Sequence, residues 1–507
     1  MRQSFIFFIF LLFILPQKIT AQEIMYADFN NEDNRDINFE ILGKMNDSYI
    51  IYKNIRGKHI LAVYDNDMHI KKSVFLRFIP DKTFNIDFIS YPDHFYMIYQ
   101  YQKNNVVYCK GVKLDAAGNK LTDPVALDTT RIGILADNKI YNTIYSQDKQ
   151  RIMIYKIPRK NQQITIATKL FDSGLNMLDS TRFVAPYDER TDIYSDLQLD
   201  NEGNFIYTKE TKGALRTNIA SLDIICRRPG VKDSRTLSID LKNNHIDEAI
   251  IKIDNLNKHY IFNSFFYSQQ PTNIKGLFTT VINAVSMDNL KSVFNVFPDS
   301  IRAKVNSDGQ YKTAFDNFFI RQTIVKKDGG FILTTEDYSS QTRSNTNNSW
   351  NRSNYLYNSP YSSSDYYLAN PGYDYYRPSS NFNNFQDVRY YYDNILILSL
   401  NSNLEMQWNT IIPKSQSDDE NDNFLSFSIM NVGAEIHFLY NESGKRQIIS
   451  NQSILPNGEL KRYPTLKSRE AGYEFMPRHA KQVGYREVII PCIYRANIAF
   501  AKVNFSE

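Results

Sequence analysis

A unit of four short strands, repeated along almost the whole chain, constrains the fold more than any other feature of this sequence. Runs such as Tyr49-Ile-Ile-Tyr52, Phe95-Tyr-Met-Ile-Tyr99, Arg151-Ile-Met-Ile-Tyr155, Gly203-Asn-Phe-Ile-Tyr207 and Gly330-Phe-Ile-Leu-Thr334 are β-branched and aromatic. They are bounded by Asn, Asp, Gly or Lys, the pattern of strands between turns. No long stretch carries a 3.6-residue period, which disfavours helical bundles and doubly wound sheets, because parallel strands need crossover helices. The third strand of a unit ends in a polar turn, as in Tyr64-Asp-Asn-Asp-Met68, Leu114-Asp-Ala-Ala-Gly118, Phe171-Asp-Ser-Gly-Leu175, Leu400-Asn-Ser-Asn-Leu404 and Leu455-Pro-Asn-Gly-Glu459. Asp and Asn in such turns bond their own backbone and tolerate left-handed dihedrals, and Gly takes positive φ freely. The turn recurs after 50 residues from Asp65 to Asp115 and after 57 from Asp115 to Asp172. Four antiparallel strands repeating at roughly 40 to 50 residues are the signature of a β-propeller blade.

First strands are expected near Ile37, Phe84, Ile140, Ile193, Ile246, Phe319, Phe424 and Phe475, which predicts an all-β, single propeller of about eight blades, with seven as the alternative count. The last unit has room for only about three strands, and the early segment Ile24-Met-Tyr-Ala-Asp-Phe29 is placed to supply the fourth. Pairing the two chain ends would close the ring and remove its exposed sheet edges. Two insertions interrupt the repeat, at about 298–317 between the fifth and sixth units and at about 339–394 between the second and third strands of the sixth. In an up-and-down blade, the loop between second and third strands and the connection to the next blade lie at the same end. Both insertions are therefore expected on one face.

The N-terminus reads as a secretory signal. Arg2 precedes an apolar run of 11 residues at 5–15, Pro16 ends it, and Ile19-Thr20-Ala21 offers a cleavage site before Gln22. The run falls short of the ~20 residues that span a bilayer. The expectation is a leader over 1–21 and an exported propeller over 22–507, periplasmic, on the cell surface or secreted, with no later membrane span. The 59 Lys+Arg against 55 Asp+Glu give a net charge of only +4, which argues against nucleic-acid binding. Cys109, Cys226 and Cys492 are scattered without a CxxC pair, so stability must rest on packing rather than on a disulfide framework.

In strand order and in its Leu-Asp-x-x-Gly type turns the chain resembles the secreted β-propeller proteins of Gram-negative bacteria, over nearly all of its length. The resemblance is architectural. There is no Trp-Asp pair of the WD40 type, one Gly-Gly (Gly329-Gly330) where kelch repeats have one per blade, and no sialidase-type Asp box. It therefore implies no site residues.

Motifs of catalysis are sparse. The seven histidines form no His-Glu-x-x-His pair, so no metal site is expected, and no cofactor motif occurs. Ser146-Gln-Asp-Lys149 matches Ser-x-x-Lys but falls in a predicted hairpin turn, where that chemistry needs a helical turn. The acidic stretches 28–36 and 418–423 carry oxygen ligands without the spacing of a calcium loop, and read as hydrated polar loops. The insertion at 339–394 stands out because Tyr355, Tyr357, Tyr361, Tyr366, Tyr367, Tyr373, Tyr375, Tyr376 and Tyr390 to Tyr392 crowd there with Trp350, Phe382 and Phe385. Tyr and Trp provide broad amphipathic contact at little rotamer entropy. The expected function is a binding or scaffolding protein that recognises an envelope or extracellular protein or glycan through Trp350, Tyr366, Tyr367, Tyr375 and Tyr376. The alternatives are a polysaccharide-active enzyme with two carboxylates in the propeller funnel and a purely structural role in an envelope assembly.

Overall fold

The computed structural model describes residues 23–28, 37–80, 82–133, 139–214, 218–247, 249–267, 274–305, 314–342, 388–419, 422–468 and 472–505. Among them the strands form eight antiparallel blades whose first strands are Asn38–Met45, Thr83–Ser90, Asn142–Tyr145, Asp192–Leu199, Ile250–Asp254, Phe318–Val325, Phe427–Asn431 and Tyr473–Phe475. Blades 4 and 5 are joined into one ladder by the two-residue strand His245–Ile246, which bridges Ile219–Arg227 and His259–Tyr267. Blade 8 takes its fourth strand from the other end of the chain. Glu23–Tyr26 pairs antiparallel with Asn497–Asn504, from Glu23 opposite Asn504 to Tyr26 opposite Ala501.

Each blade is a sheet with both faces covered by neighbours, and the burial pattern of its strands follows from that. Second strands are almost continuously buried, as in Ser48–Ile55 and His259–Tyr267, because they face a blade on each side. Fourth strands at the rim alternate, as in Met177–Pro186, with one side chain in two turned to solvent. Eight apolar clusters fill the eight interfaces between blades, one to each. Phe39, Ile41, Ile489 and Phe500 pack between blades 1 and 8. Phe265, Leu277, Phe318 and Leu396 do the same between blades 5 and 6, and Met430, Leu439, Val488 and Cys492 between blades 7 and 8. All three cysteines are buried free thiols. Burial pushes the Cys226 thiol up to about 11, which makes it inert as a nucleophile.

In the blades that have one, the turn between third and fourth strands fastens the blade to the one before it. The turn acid works as the sequence implies: Asp115 Oδ1 accepts from Ala117 N at 2.9 Å and Asn119 N at 2.8 Å, and Asp172 Oδ1 from Gly174 N and Asn176 N, both at 2.8 Å. The left-handed residue departs from the Asp, Asn and Gly preference. It is Met68, Leu175, Met287 or Leu404 in four blades, with φ between 60 and 66°. A side chain at positive φ costs roughly 1–2 kcal/mol, but each of these four plugs the cluster shared with the preceding blade. Full burial of such a side chain contributes about 1.5–3 kcal/mol, enough to offset the strain. Leu175 fits because Gly111 faces it, where a Cβ would stand 2.8 Å from Leu175 Cδ1. The preceding blade also donates to the turn carbonyls: Lys72 Nζ to Ala117 O at 3.2 Å, Arg235 to Ser286 O at 2.9 Å, Lys291 to Asn403 O at 2.7 Å and Trp408 Nε1 to Pro456 O at 3.0 Å. Gly458 lies so close beneath the Trp408 indole that a Cβ would meet the ring at 2.5 Å.

The insertions both leave from one face, since one follows the fourth strand of blade 5 and the other joins the second and third strands of blade 6. The first contains the short helix Asp299–Val305, whose Ile301 packs into the cluster between blades 5 and 6. The second is narrower than the sequence suggests. Residues 338–342 pair with 388–392 as a continuation of the blade ladder, so Tyr390, Tyr391 and Tyr392 are strand residues rather than loop residues. The first insertion meets the third strand of blade 6 where Asn394 Nδ2 donates to Val305 O at 3.4 Å. The expected leader lies outside the described residues. Ser146 and Lys149 sit in a hairpin turn, Ser146 Oγ bonding Asp148 at 2.6 Å and Lys149 Nζ bonding Ser90 O at 2.6 Å, so they form no Ser-Lys pair.

Because Leu404 closes an interface while bearing backbone strain, Leu404→Ala keeps the strain and loses the plug. Chemical denaturation of this variant is expected to give a loss of about 2–4 kcal/mol. A loss under ~0.5 kcal/mol would show that the turn does not fasten blade 6 to blade 5.

Candidate functional site on the insertion-bearing face

Second strands carry a buried polar residue at the same offset in four blades, and each fastens the chain entering the next blade. Gln100 donates to Tyr141 O at 2.7 Å and accepts from Tyr141 N at 2.9 Å. Glu210 accepts from Ala249 N at 2.9 Å. Glu336 accepts from Ser426 Oγ at 2.7 Å. Asn441 Nδ2 donates to Phe475 O at 2.7 Å and to Phe424 O at 3.0 Å. Each lies five residues after the first buried apolar residue of its strand (Phe95, Phe205, Phe331, Ile436). A buried polar group is tolerated only when bonded, and here the bonds bridge blades.

At blades 6 to 8 these contacts grow into a charged collar beneath the second insertion. Glu336 is fully buried and is held by Arg321 Nη2 at 2.7 Å and Lys414 Nζ at 2.9 Å. Lys414 also donates to Tyr392 O at 2.7 Å and Gln416 Oε1 at 2.9 Å. Burial alone would push the Glu336 carboxyl up, but Lys414, Arg321 and Ser426 together hold it below the usual carboxylate range. The first strand of blade 8 is broken by the 3-10 turn Pro477–His479 before pairing resumes at Lys481–Gln482. That break carries Arg478 across blade 7 to pair with Asp422, whose carboxylate also accepts from Tyr392 OH at 2.8 Å. Burial raises Asp422, while Arg478 and Tyr392 outweigh it and keep it low. The Tyr392 ring stands among three cations, with Arg321 at 5.6 Å, Arg478 at 5.7 Å and Lys414 at 5.9 Å from its centroid. The Tyr338 ring lies tilted against it, with centroids 4.7 Å apart, and Phe319 and Leu425 complete a small apolar cluster. Tyr392 is thus the hub at which the strands carrying the insertion are fixed to three blades.

Beside the collar a cleft of about 710 Å³ opens between blades 6 and 7. Its floor is buried Phe424, Leu425, Gln416 and Asn441, and its walls are ion pairs. Arg446 pairs with Asp418 at 2.6 Å and Glu474 at 3.5 Å, and its guanidinium lies 4.3 Å over the Phe424 ring. Arg389 pairs with Asp419 at 3.3 Å, and Lys445 with Glu442 at 3.4 Å. The short strand Gln416–Asp418 edges the cleft and pairs with Tyr390 to Tyr392. A second cleft of about 760 Å³ lies on the same face between blades 3 and 4, with Arg159 over the Tyr187 ring at 5.1 Å.

Trp350, Tyr366, Tyr367, Tyr375 and Tyr376 lie outside the described residues. What the structure describes is the base from which their segment leaves: Tyr338 and Tyr392 buried, Tyr390 half-buried against them, and Tyr391 half-buried with Arg389 over its ring at 5.4 Å. Of the acidic stretch 418–423, Asp418, Asp419 and Asp422 are ion-paired rather than loosely hydrated. Of 28–36, only Asp28 is described, and it contacts His69 Nδ1 at 3.3 Å. Sequence reasoning missed Glu336, Lys414, Asn441 and Arg478. For Glu336 and Asn441 the signal was available as a polar residue recurring at one offset in an apolar run; for Lys414 and Arg478 there was none, because long-range pairing chose them.

Three first-strand carboxylates are engaged between blades or in turns. Asp87 is bound by Thr143 Oγ1 at 2.9 Å, Asn85 at 3.0 Å and Lys139 at 3.2 Å. Asp196 accepts from Ile251 N and from Gln198 Nε2, with burial pushing it up to about 6. Asp254 caps its own turn through Asn257. Among the described residues no group of three or more His, Cys, Asp or Glu side chains is gathered as a metal site, and no helix is long and apolar enough to cross a membrane.

No protein-family model matches the chain, and no curated protein matches it. Among solved structures it is similar to the WD40 domain of SCAP from fission yeast, at 9% identity over 96% of this chain and 98% of that one, TM-score 0.41. It is similar also to a prolyl endopeptidase, at 8% identity over 92% of this chain and 55% of that one, TM-score 0.43. A third is the polysaccharide lyase Uly1, at 7% identity over 82% of this chain and 89% of that one, TM-score 0.38.

Removing the Glu336 carboxylate leaves two buried cations uncompensated. Glu336→Ala is expected to lower stability by about 3–5 kcal/mol in chemical denaturation. The pH dependence follows from the depressed folded-state value: the contribution is complete above the unfolded value of 4.5 and is lost as pH falls through the lower folded value. The stability gap between the protein and Glu336→Gln is therefore expected to shrink on acidification from pH 6 to pH 3. A gap that widens over that range would refute the ionised collar.

Proposed function

We propose that the protein is an exported binding or scaffolding propeller that recognises a protein or glycan through the sector of blades 5 to 8 on the insertion-bearing face. The observation that carries this reading is the Tyr392 hub. Three blades spend buried charges and an aromatic cluster on fixing the two strands from which the Tyr-rich segment departs. A rigid base lowers the ordering cost of a contact surface, which is how preorganisation raises affinity. Both insertions border this sector, and the larger cluster of aromatic residues outside the blade cores belongs to it. Enzymatic action on a polysaccharide is the weaker reading, because Asp87, Asp196 and Asp254 are engaged in the bonds that hold neighbouring strands and turns.

The test is deletion of 343–387 with a short Gly-Ser linker joining the paired strands. The variant is expected to melt within a few degrees of the parent, since those residues leave beyond the ladder, and to lose at least about tenfold in affinity for its partner by surface plasmon resonance. Retained affinity would overturn the reading.

A further inference from the structure

The cleft between blades 6 and 7 has one feature that its role in holding the blades together does not use. Asn441 is 97% buried, and its amide is fixed by the two bonds from Nδ2, yet its Oδ1 has no hydrogen-bond partner. An unbonded buried acceptor costs about 1–3 kcal/mol, which a donor that reaches it through the cleft would recover. The walls restrict what that donor can belong to. Arg446, Arg389 and Lys445 each already face a carboxylate, and those carboxylates belong to Asp418, Glu474, Asp419 and Glu442. A charged ligand would have to compete with one of these pairs for its partner. A hydroxyl does not, because it donates to a carboxylate or to Asn441 Oδ1 while accepting from a guanidinium. About 710 Å³ is ample for several linked rings, within the range of ordinary ligand sites.

We infer that this cleft binds a neutral, hydroxyl-rich oligosaccharide, with Asn441 Oδ1, Asp418, Asp419, Arg389 and Arg446 as the polar contacts and Phe424 as the floor. This deepens the proposed function and rests on it for the choice of face, but the cleft is built by residues outside the Tyr-rich segment. The cleft of blades 3 and 4 has an ion pair of its own, Lys209 with Asp192 at 3.7 Å, but none of its lining residues carries a buried side-chain acceptor without a partner.

The experiment uses the full chain on an array of neutral oligosaccharides, acidic oligosaccharides and unmodified peptides, followed by titration calorimetry of the best binder. Arg389→Ala combined with Asp419→Ala is the test variant, since both side chains are nearly half exposed and their removal leaves the collar intact. The expected result is binding to one or more neutral oligosaccharides, weakened at least about tenfold in the double variant with the melting temperature unchanged. Binding only to acidic oligosaccharides, only to peptides, to nothing on the array, or equally by parent and variant would overturn the inference. Loss of partner binding on deleting 343–387 without any neutral glycan binding would overturn this inference and leave the proposed function standing. Neutral glycan binding that survives the deletion and falls in the double variant would support the cleft and count against the Tyr-rich segment.

Discussion

Everything in this fold depends on covering both faces of every blade, and a ring does so only when its last blade meets its first. A single four-stranded sheet of this chain would expose a continuous apolar surface on each side. Eight of them in a closed ring leave none. The antiparallel pairing of Glu23–Tyr26 with Asn497–Asn504 therefore does more than add four residues to a ladder, because it completes blade 8, which then contributes to the clusters on both of its sides. Two kinds of fastening reinforce the apolar contact. At the turns, bulky residues held at positive φ plug the preceding interface. Along the second strands, buried Gln, Glu and Asn bond the chain that enters the next blade.

The ring is not uniform, and the departures collect in one sector. Blade 6 carries the longest ladder, blade 5 the helical connection, and blade 8 a broken first strand whose Arg478 reaches Asp422 and Tyr392. Buried ion pairs contribute little net stability against apolar packing of the same volume, yet they fix geometry, since each charge tolerates only a few arrangements. The collar exchanges stability for definition at the place where two strands must leave the blade in a fixed direction. The adjoining cleft inherits its fixed walls from the same arrangement.

Much of the architecture was legible in the sequence because it is local. Turn acids followed by left-handed residues, and apolar runs of four to six residues, come from short-range chemistry that repeats with the blade; observed first strands begin within a few residues of the positions read from the runs. The bulky side chains of Met68, Leu175 and Leu404 at that left-handed position were not legible, because they answer to the cavity of the neighbouring blade, whereas the positive φ itself recurs at Gly118 and Gly458 in the same turn. The extent of the blade 6 ladder was missed for a related reason: Tyr390 to Tyr392 look like part of a Tyr-rich loop until their partners at Tyr338, Ser339, Ser340 and Gln416 to Asp418 are known. The collar residues lie far apart in sequence, with Glu336, Lys414 and Arg478 drawn from three blades or their connections. No local pattern marks them.

The central claim, that the sector beneath the Tyr-rich segment is a rigid platform locked to three blades, is tested most directly by amide hydrogen exchange across the whole chain. Exchange of the segments 331–342, 388–400, 414–419 and 473–480 is expected to be as slow as that of the second strands in blades 1 and 2, so that these residues open only with the ring. Exchange there that runs ahead of those strands, by local opening, would contradict the account.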